Sequence, residues 1–187
     1  ILASGNVVVD SDLSGSAAVR QKAEKVLRDF FGYEAWVLVY ELDDVRKIAD
    51  GFPFEDEVDG HHSYVTFVSD ADVLDELADL ADKAGPDEKI ARGDGVLYWQ
   101  VPKSGTLDST IGKTMGKKRY KSSTTTRNLR TLAELPQIPH ERSIGLLASA
   151  PHAYEQAMGE ARRRETETFF GKVGDKIGPL TAADKKK

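Results

Sequence analysis

The chain contains no cysteine. That excludes disulfides, thiolate catalysis and any zinc or iron–sulfur site built on sulfur, and it fits a cytoplasmic protein. It also lacks an apolar run of about 18 residues, so no stretch reads as a membrane-spanning helix and no membrane partner is expected. The opening, ILASGNVVVD, has neither the length nor the basic start of a signal peptide. It begins with Ile rather than Met, and the expectation is a fragment or a miscalled start. No Gly-x-Ser-x-Gly elbow is present, so Ser/His/Asp catalysis has no support.

What the chain does have is charge, unevenly placed. Its 187 residues are 40% hydrophobic and 30% charged, enough for a core and a soluble surface. Lys and Arg number 26 against 31 Asp and Glu, a formal net charge of −5. The stretch from Gly112 to Leu135, GKTMGKKRYKSSTTTRNLRTLAEL, holds Lys113, Lys117, Lys118, Arg119, Lys121, Arg127 and Arg130 before its first acid, Glu134. Setting those seven aside leaves 19 of the 26 basic residues against 31 acids. An acidic body with one concentrated basic element points to an anionic partner at one place.

Taken in order, Ile1–Ala3 and Val7–Asp10 predict a hairpin around Ser4-Gly5-Asn6. Ser14 or Ser16 caps a helix running to Phe31, with Val19, Ala23, Val26, Leu27 and Phe30 on one stripe. Ala35–Tyr40 reads as a strand, and Leu42, Val45, Ile48 and Ala49 mark a helix ending at Gly51. Ser63–Ser69 alternates as a strand. Asp70 or Asp72 caps a helix with Val73, Leu74, Leu77, Ala78 and Ala81 inside, and Gly85-Pro86 ends it. Lys89–Ala91 and Val96–Val101 flank the hairpin turn Arg92-Gly93-Asp94-Gly95. Leu107, Ile111 and Met115 predict a helix closed by Gly116. Tyr120–Thr125 predicts a last strand, and a helix from near Thr126 buries Leu129, Leu132 and Leu135. Pro151 to about Phe170 predicts one more helix, and PLTAADKKK a disordered end.

This order predicts an α+β protein of two ferredoxin-like (alpha-beta plait) halves plus a C-terminal helical tail. Residues 63–137 read as a complete half with a closing helix. Residues 1–52 read as an incomplete half lacking its opening strand and helix. Residues 53–62, FPFEDEVDGHH from Phe52, read as a linker, and 138–187 as a helical and disordered tail.

Two stretches carry a resemblance. Ser4-Gly5-Asn6-Val7-Val8 and Thr125-Thr126-Arg127-Asn128-Leu129-Arg130-Thr131-Leu132 resemble signatures of the bacterial family called domain of unknown function 1697, and Phe52-Pro53-Phe54 lies near that family's Asn-Pro-Phe. The resemblance covers about residues 1–136. It implies tandem ferredoxin-like halves and no established activity. The family's opening strand, ending Leu-Leu-Arg-Gly-Ile-Asn-Val-Gly-Gly, is missing here, and Leu129 and Glu134 stand where the family often has an aromatic and a lysine.

Four stretches invite chemistry. Gly112-Lys113-Thr114 resembles the end of a phosphate loop, but Leu107 stands where that loop needs Gly. Glu55, Asp56, Glu57, Asp59, His61 and His62 match no metal-ligand spacing and have the composition of a solvated linker, so no metal and no cofactor is expected. Tyr98-Trp99 on a plait strand could stack bases, yet one of the pair must face the helices and no RNA-binding signature is present, so core packing is expected. Thr124–Asn128 is the strongest: Thr125 or Thr126 would cap the last helix and leave its amides beside Arg127, an arrangement suited to a phosphate or carboxylate. The competing reading has Arg127 paired with an acid as a structural residue.

The expected function is therefore non-catalytic binding of an anionic group, a phosphate-bearing ligand or nucleic acid, through Arg127, Thr126, Asn128, Lys117, Lys118, Arg119 and Lys121. The alternatives are an enzyme acting on a small phosphorylated or carboxylated metabolite, and a structural or interaction module. A further expectation concerns the missing strand. In a plait it is central, and its absence would leave two rows of unpaired amides between Val7–Asp10 and Ala35–Tyr40. Ser143–Ala148 is the one later segment offered to fill that gap.

Overall fold

The computed structural model describes residues 6–11, 13, 15–31, 36–55, 58–135 and 143–149. These divide into two compact units, one within Arg46–Glu134 and one assembled from Ile1–Val45 and Leu135–Lys187. The division falls inside a helix, at Val45 and Arg46, and not in the 53–62 segment where the linker was expected. The reason lies in what 48–55 touch. Phe52 stands edge-on to Phe54 at 5.4 Å and to Tyr98 at 5.8 Å. Tyr98 donates its hydroxyl to the Ile48 carbonyl at 2.9 Å, and the Gln100 amide donates to the Glu55 carbonyl at 2.6 Å. Aromatic packing and satisfied carbonyls make this stretch part of the second unit.

The first unit contains β1 (Asn6–Asp10), α1 (Ser16–Phe31), β2 (Trp36–Glu41), the start of α2 (Leu42–Asp50) and a late strand, Ser143–Ser149. Gly15, at φ +85, turns the chain into α1, and its carbonyl accepts from Ala18 and Val19. Of the expected stripe, Val19, Ala23 and Leu27 are buried and Val26 is half-buried. Glu24 on this helix accepts from the Val37 amide of β2 at 3.1 Å.

The late strand does fill the gap. It lies between β1 and β2, antiparallel to both, with Val7 and Val39 opposite Leu146 and with Val8 and Tyr40 opposite Gly145. Residues 143–149 are thus part of the first unit's sheet and not of a separate tail. The hairpin partner at 1–3, the 151–170 helix and the 179–187 end lie outside the described residues.

The second unit holds the last five residues of α2, Arg46–Asp50, and then, in order, β3 (His61–Val68), α3 (Ala71–Ala78), β4 (Lys89–Arg92), β5 (Val96–Pro102), α4 (Thr110–Met115), β6 (Thr124–Asn128) and α5 (Leu129–Glu134). The strands form one antiparallel sheet ordered β4-β5-β3-β6. The molecule is thus a mixed α+β protein with a four-stranded antiparallel sheet and, among the described residues, five α-helices. Asp70 caps α3 by accepting from the Asp72 and Val73 amides at 3.0 and 3.2 Å. Gly95, at φ +66, makes the β4–β5 turn.

One face of this sheet carries Val68, Leu97, Trp99 and Val101 against Leu74 and Leu77 of α3, Ile111 of α4, and Tyr120. The opposite face carries Val65, Phe67, Val96, Tyr98 and Arg127, all buried as well. Tyr98 and Trp99 are therefore both core, on opposite faces.

Three expected elements move. The helix expected on Leu107, Ile111 and Met115 begins at Thr110, and Leu107 lies outside it, 77% exposed. The last strand begins at Thr124, not Tyr120, because Lys118–Tyr120 forms a turn of 3-10 helix. The last helix begins at Leu129, not near Thr126, so Thr126, Arg127 and Asn128 are strand residues paired with Thr66, Val65 and Tyr64. β-branched Thr124-Thr125-Thr126 favours the extended form, and β3 offers an edge to pair with.

Proline in a central strand removes a ladder bond and cannot be absorbed at an edge. Leu146→Pro in the late strand, β7 (Ser143–Ser149), is expected to destabilise the first unit by about 3 kcal/mol or more, read by urea unfolding. The same change at Lys89, on edge strand β4, is expected to cost less. Equal losses would mean that β7 contributes little to the sheet.

Candidate functional site

The basic stretch does not form one cluster of free cations. Arg127 is buried, at 7% exposure. Its guanidinium donates from Nη1 to Thr125 Oγ1 and to the Thr126 carbonyl, both at 2.7 Å. A solvent-facing Arg127 beside a helix start was expected; the strand geometry turns it into the unit instead. Thr126 bonds Thr66 through their hydroxyls at 2.7 Å and caps nothing. The cap of α5 is Asn128, whose Oδ1 accepts from the Arg130 amide at 3.0 Å.

Lys117, Lys118, Arg119 and Lys121 are exposed. They surround the Lys118–Tyr120 turn, which is pinned from beneath. Tyr120 is 1% exposed and its hydroxyl donates to Glu76 Oε1 at 2.7 Å. Arg119 forms an ion pair with the other oxygen of the same carboxylate and lies 4.8 Å over the Tyr120 ring. One acid on α3 therefore holds the turn and neutralises one of its cations. Lys117 and Lys118 make no ion pair among the described residues. The structure thus brings Lys117, Lys118, Arg119 and Lys121 onto one turn and separates Thr126, Arg127 and Asn128 from them along β6.

The phosphate-loop likeness at Gly112-Lys113-Thr114 fails on geometry. The amides at the start of α4 are already engaged: Gly112 donates to Ser109 Oγ at 3.0 Å, and Thr110 donates to both carboxylate oxygens of Glu88 at 3.1 Å. Gly112 is there for space, since a Cβ would sit 2.0 Å from the Thr106 carbonyl oxygen. Of the acidic loop, Asp56 and Glu57 lie outside the described residues. Asp59 accepts from its neighbour Gly60, and His61 Nδ1 lies 3.2 Å from the Asp59 carbonyl. No group of three or more His, Asp or Glu among the described residues is placed to hold a metal.

An aromatic row escaped sequence reasoning. Tyr64 stacks on Trp99 with centroids 4.3 Å apart, and His62 lies 5.6 Å from Tyr64. Trp99 Nε1 donates to Thr66 Oγ1 at 2.9 Å, the same oxygen that meets Thr126. The signal was the alternation His62, Tyr64, Thr66 on one strand, but its partner Trp99 is assigned only by the β3–β5 register.

Burial pushes the pKa of Tyr40, Tyr64, Tyr98 and Tyr120 above the ordinary value; at Tyr120 the bond to Glu76 adds to it. The folded state then holds these protons more tightly than the unfolded one. The stability they contribute is complete below about pH 10 and is lost as pH rises through the folded values. Tyr120→Phe is expected to cost about 1 kcal/mol at neutral pH and to make the alkaline decline shallower, measured by urea unfolding at pH steps. Removing the Arg127 guanidinium by Arg127→Ala strands buried Thr partners and is expected to cost about 1–3 kcal/mol. Arg119→Ala, at an exposed pair, is expected to cost under about 1 kcal/mol. The reverse order would place Arg127 outside the structural role.

Among the described residues, no helix is long and apolar enough to cross a membrane. No curated protein and no solved structure matches the chain. The family model described as protein of unknown function (DUF1697) matches residues 1–98. Thr125–Leu132, half of the resemblance noted above, falls beyond that span. The match includes Ser4–Val8, the Phe52–Phe54 segment, β3, β4 and the first three residues of β5, more than half of the 187 residues, and the chain belongs to this family of proteins of unknown function.

Proposed function

We propose that this protein is a non-catalytic binder of an anionic, phosphate-bearing partner, and that the contact is made by the lysines around the Lys118–Tyr120 turn and not by Arg127. The observation that carries this reading is the pinned turn itself. Tyr120 and Glu76 hold its backbone, Arg119 is answered by Glu76, and Lys117 and Lys118 project as exposed charges without ion pairs among the described residues. Exposed lysines in a row suit a repeating phosphate backbone better than a small metabolite, which needs donors converging on one point.

We also read each unit as a plait half. In the second unit, the strand order β4-β5-β3-β6 with α3 and α4 as crossovers supports this. In the first, β7 lies antiparallel between β1 and β2, the slot of a plait's opening strand. A cytoplasmic setting rests on the cysteine-free composition alone.

Binding of a fluorescent single-stranded oligonucleotide and of inorganic polyphosphate, followed by anisotropy across salt concentrations, tests the proposal. Affinity is expected to fall steeply with salt. Lys117→Ala and Lys118→Ala are each expected to flatten the log–log slope by roughly 0.7. Arg127→Met is expected to leave the slope unchanged. A slope insensitive to both lysines would overturn the reading.

A further inference from the structure

Most of β3 is buried, but Tyr64 is only half-buried between buried Ser63 and Val65. Tyr64 packs against the core of this face, and its hydroxyl meets Thr106 ahead of α4. α4 has six residues, and the chain leaves it for the lysine turn before entering β6 at Thr124. The turn covers the near end of β6: Thr124 is buried and its hydroxyl donates to the Tyr120 carbonyl at 2.8 Å. The far end stays partly open. Thr126 and Asn128 are half-buried, with Asn128 paired opposite Tyr64 and Thr126 opposite Thr66. His62, Tyr64, Thr126 and Asn128 thus share one incompletely covered surface.

That surface has a rigid floor. Tyr64 lies on Trp99 at 4.3 Å with 29° between the rings. Trp99 is 4% exposed and is tied to Thr66, which is tied to Thr126, so three strands hold the indole in place. The His62 ring continues the row at 5.6 Å, tilted by 55°. Asn128 spends its carbonyl oxygen on the Arg130 amide, which leaves its NH2 group to donate outward.

We propose that His62, Tyr64 and Asn128 form a base-stacking platform for single-stranded nucleic acid, with the strand's phosphates at the Lys117–Lys121 turn that feeds the same β6 strand. This deepens the polyanion reading above and rests on it. β6 spans about 14 Å at roughly 3.4 Å per residue, so the cationic turn and the platform lie along one strand length. Stacking needs unpaired bases, because a duplex keeps its π-faces occupied. The preference is thus for single strands, with weak dependence on sequence.

The test uses the full chain with Trp36→Phe, which leaves Trp99 as the only tryptophan. A thymidine oligomer on the order of ten nucleotides is expected to change Trp99 emission, through Tyr64, as it binds. Inorganic polyphosphate of matched charge is expected to leave that emission unchanged. Tyr64→Leu and His62→Ala are each expected to weaken oligomer binding roughly 5- to 100-fold, with the salt slope retained, while Tyr64→Phe keeps the ring and the affinity. If Tyr64→Leu fails to fold, His62→Ala and the emission change decide. Equal binding of oligomer and polyphosphate, unaffected by His62→Ala, would overturn the platform and leave the lysine reading standing. Binding of neither would overturn both.

Discussion

Backbone amides inside a sheet must be paired along both edges of the strand that carries them. In each unit the interior strands meet that requirement. In the second unit these are β3, bonded to β5 on one side and β6 on the other, and β5, between β4 and β3. In the first it is β7, which arrives from the far end of the chain to sit between β1 and β2. Without β7, β1 and β2 would each present a row of unsatisfied groups. The first unit is therefore closed by residues more than a hundred positions from its opening strand.

The same pairing decides the fate of the basic stretch. Because β3 holds Thr124–Asn128 as a strand, side chains there alternate between faces. Thr126 and Asn128 join Tyr64 and Thr66, while Thr125 and Arg127 turn to the face of Val65 and Tyr98. A guanidinium in that position loses water and needs acceptors at hand. It finds the Thr125 hydroxyl and the Thr126 carbonyl within two residues of itself. The most conspicuous cation of the motif is thus internal, while Lys117, Lys118 and Lys121 stay exposed on the turn.

That turn is an economical construction. Glu76 receives Tyr120 and Arg119 on its two oxygens, and Arg119 lies over the Tyr120 ring. The aromatic supplies buried area and the carboxylate fixes direction, so the exposed lysines sit on an anchored backbone. Where the turn ends, β6 runs on to Asn128, which pairs opposite Tyr64 of β3.

The sequence by itself determined the kinds of element and most of their positions. The α1 stripe of Val19, Ala23 and Leu27, the Asp70 cap, the β4–β5 turn and the β5 run follow from local periodicity, capping chemistry and glycine, which act within a few residues. The place of the late strand was also legible, since Val7–Asp10 and Ala35–Tyr40 called for a partner between them and Ser143–Ala148 was offered for it. Tertiary structure alone decided the rest. Residues 52–55 became part of a unit because Tyr98 and Gln100 reach them. Thr126–Asn128 became strand because β3 supplied a partner edge, which overrides a helix start that local sequence allows equally well. Arg127 went inward and Tyr64 met Trp99 because register, a property of two strands and not of one, sets which side chains share a face.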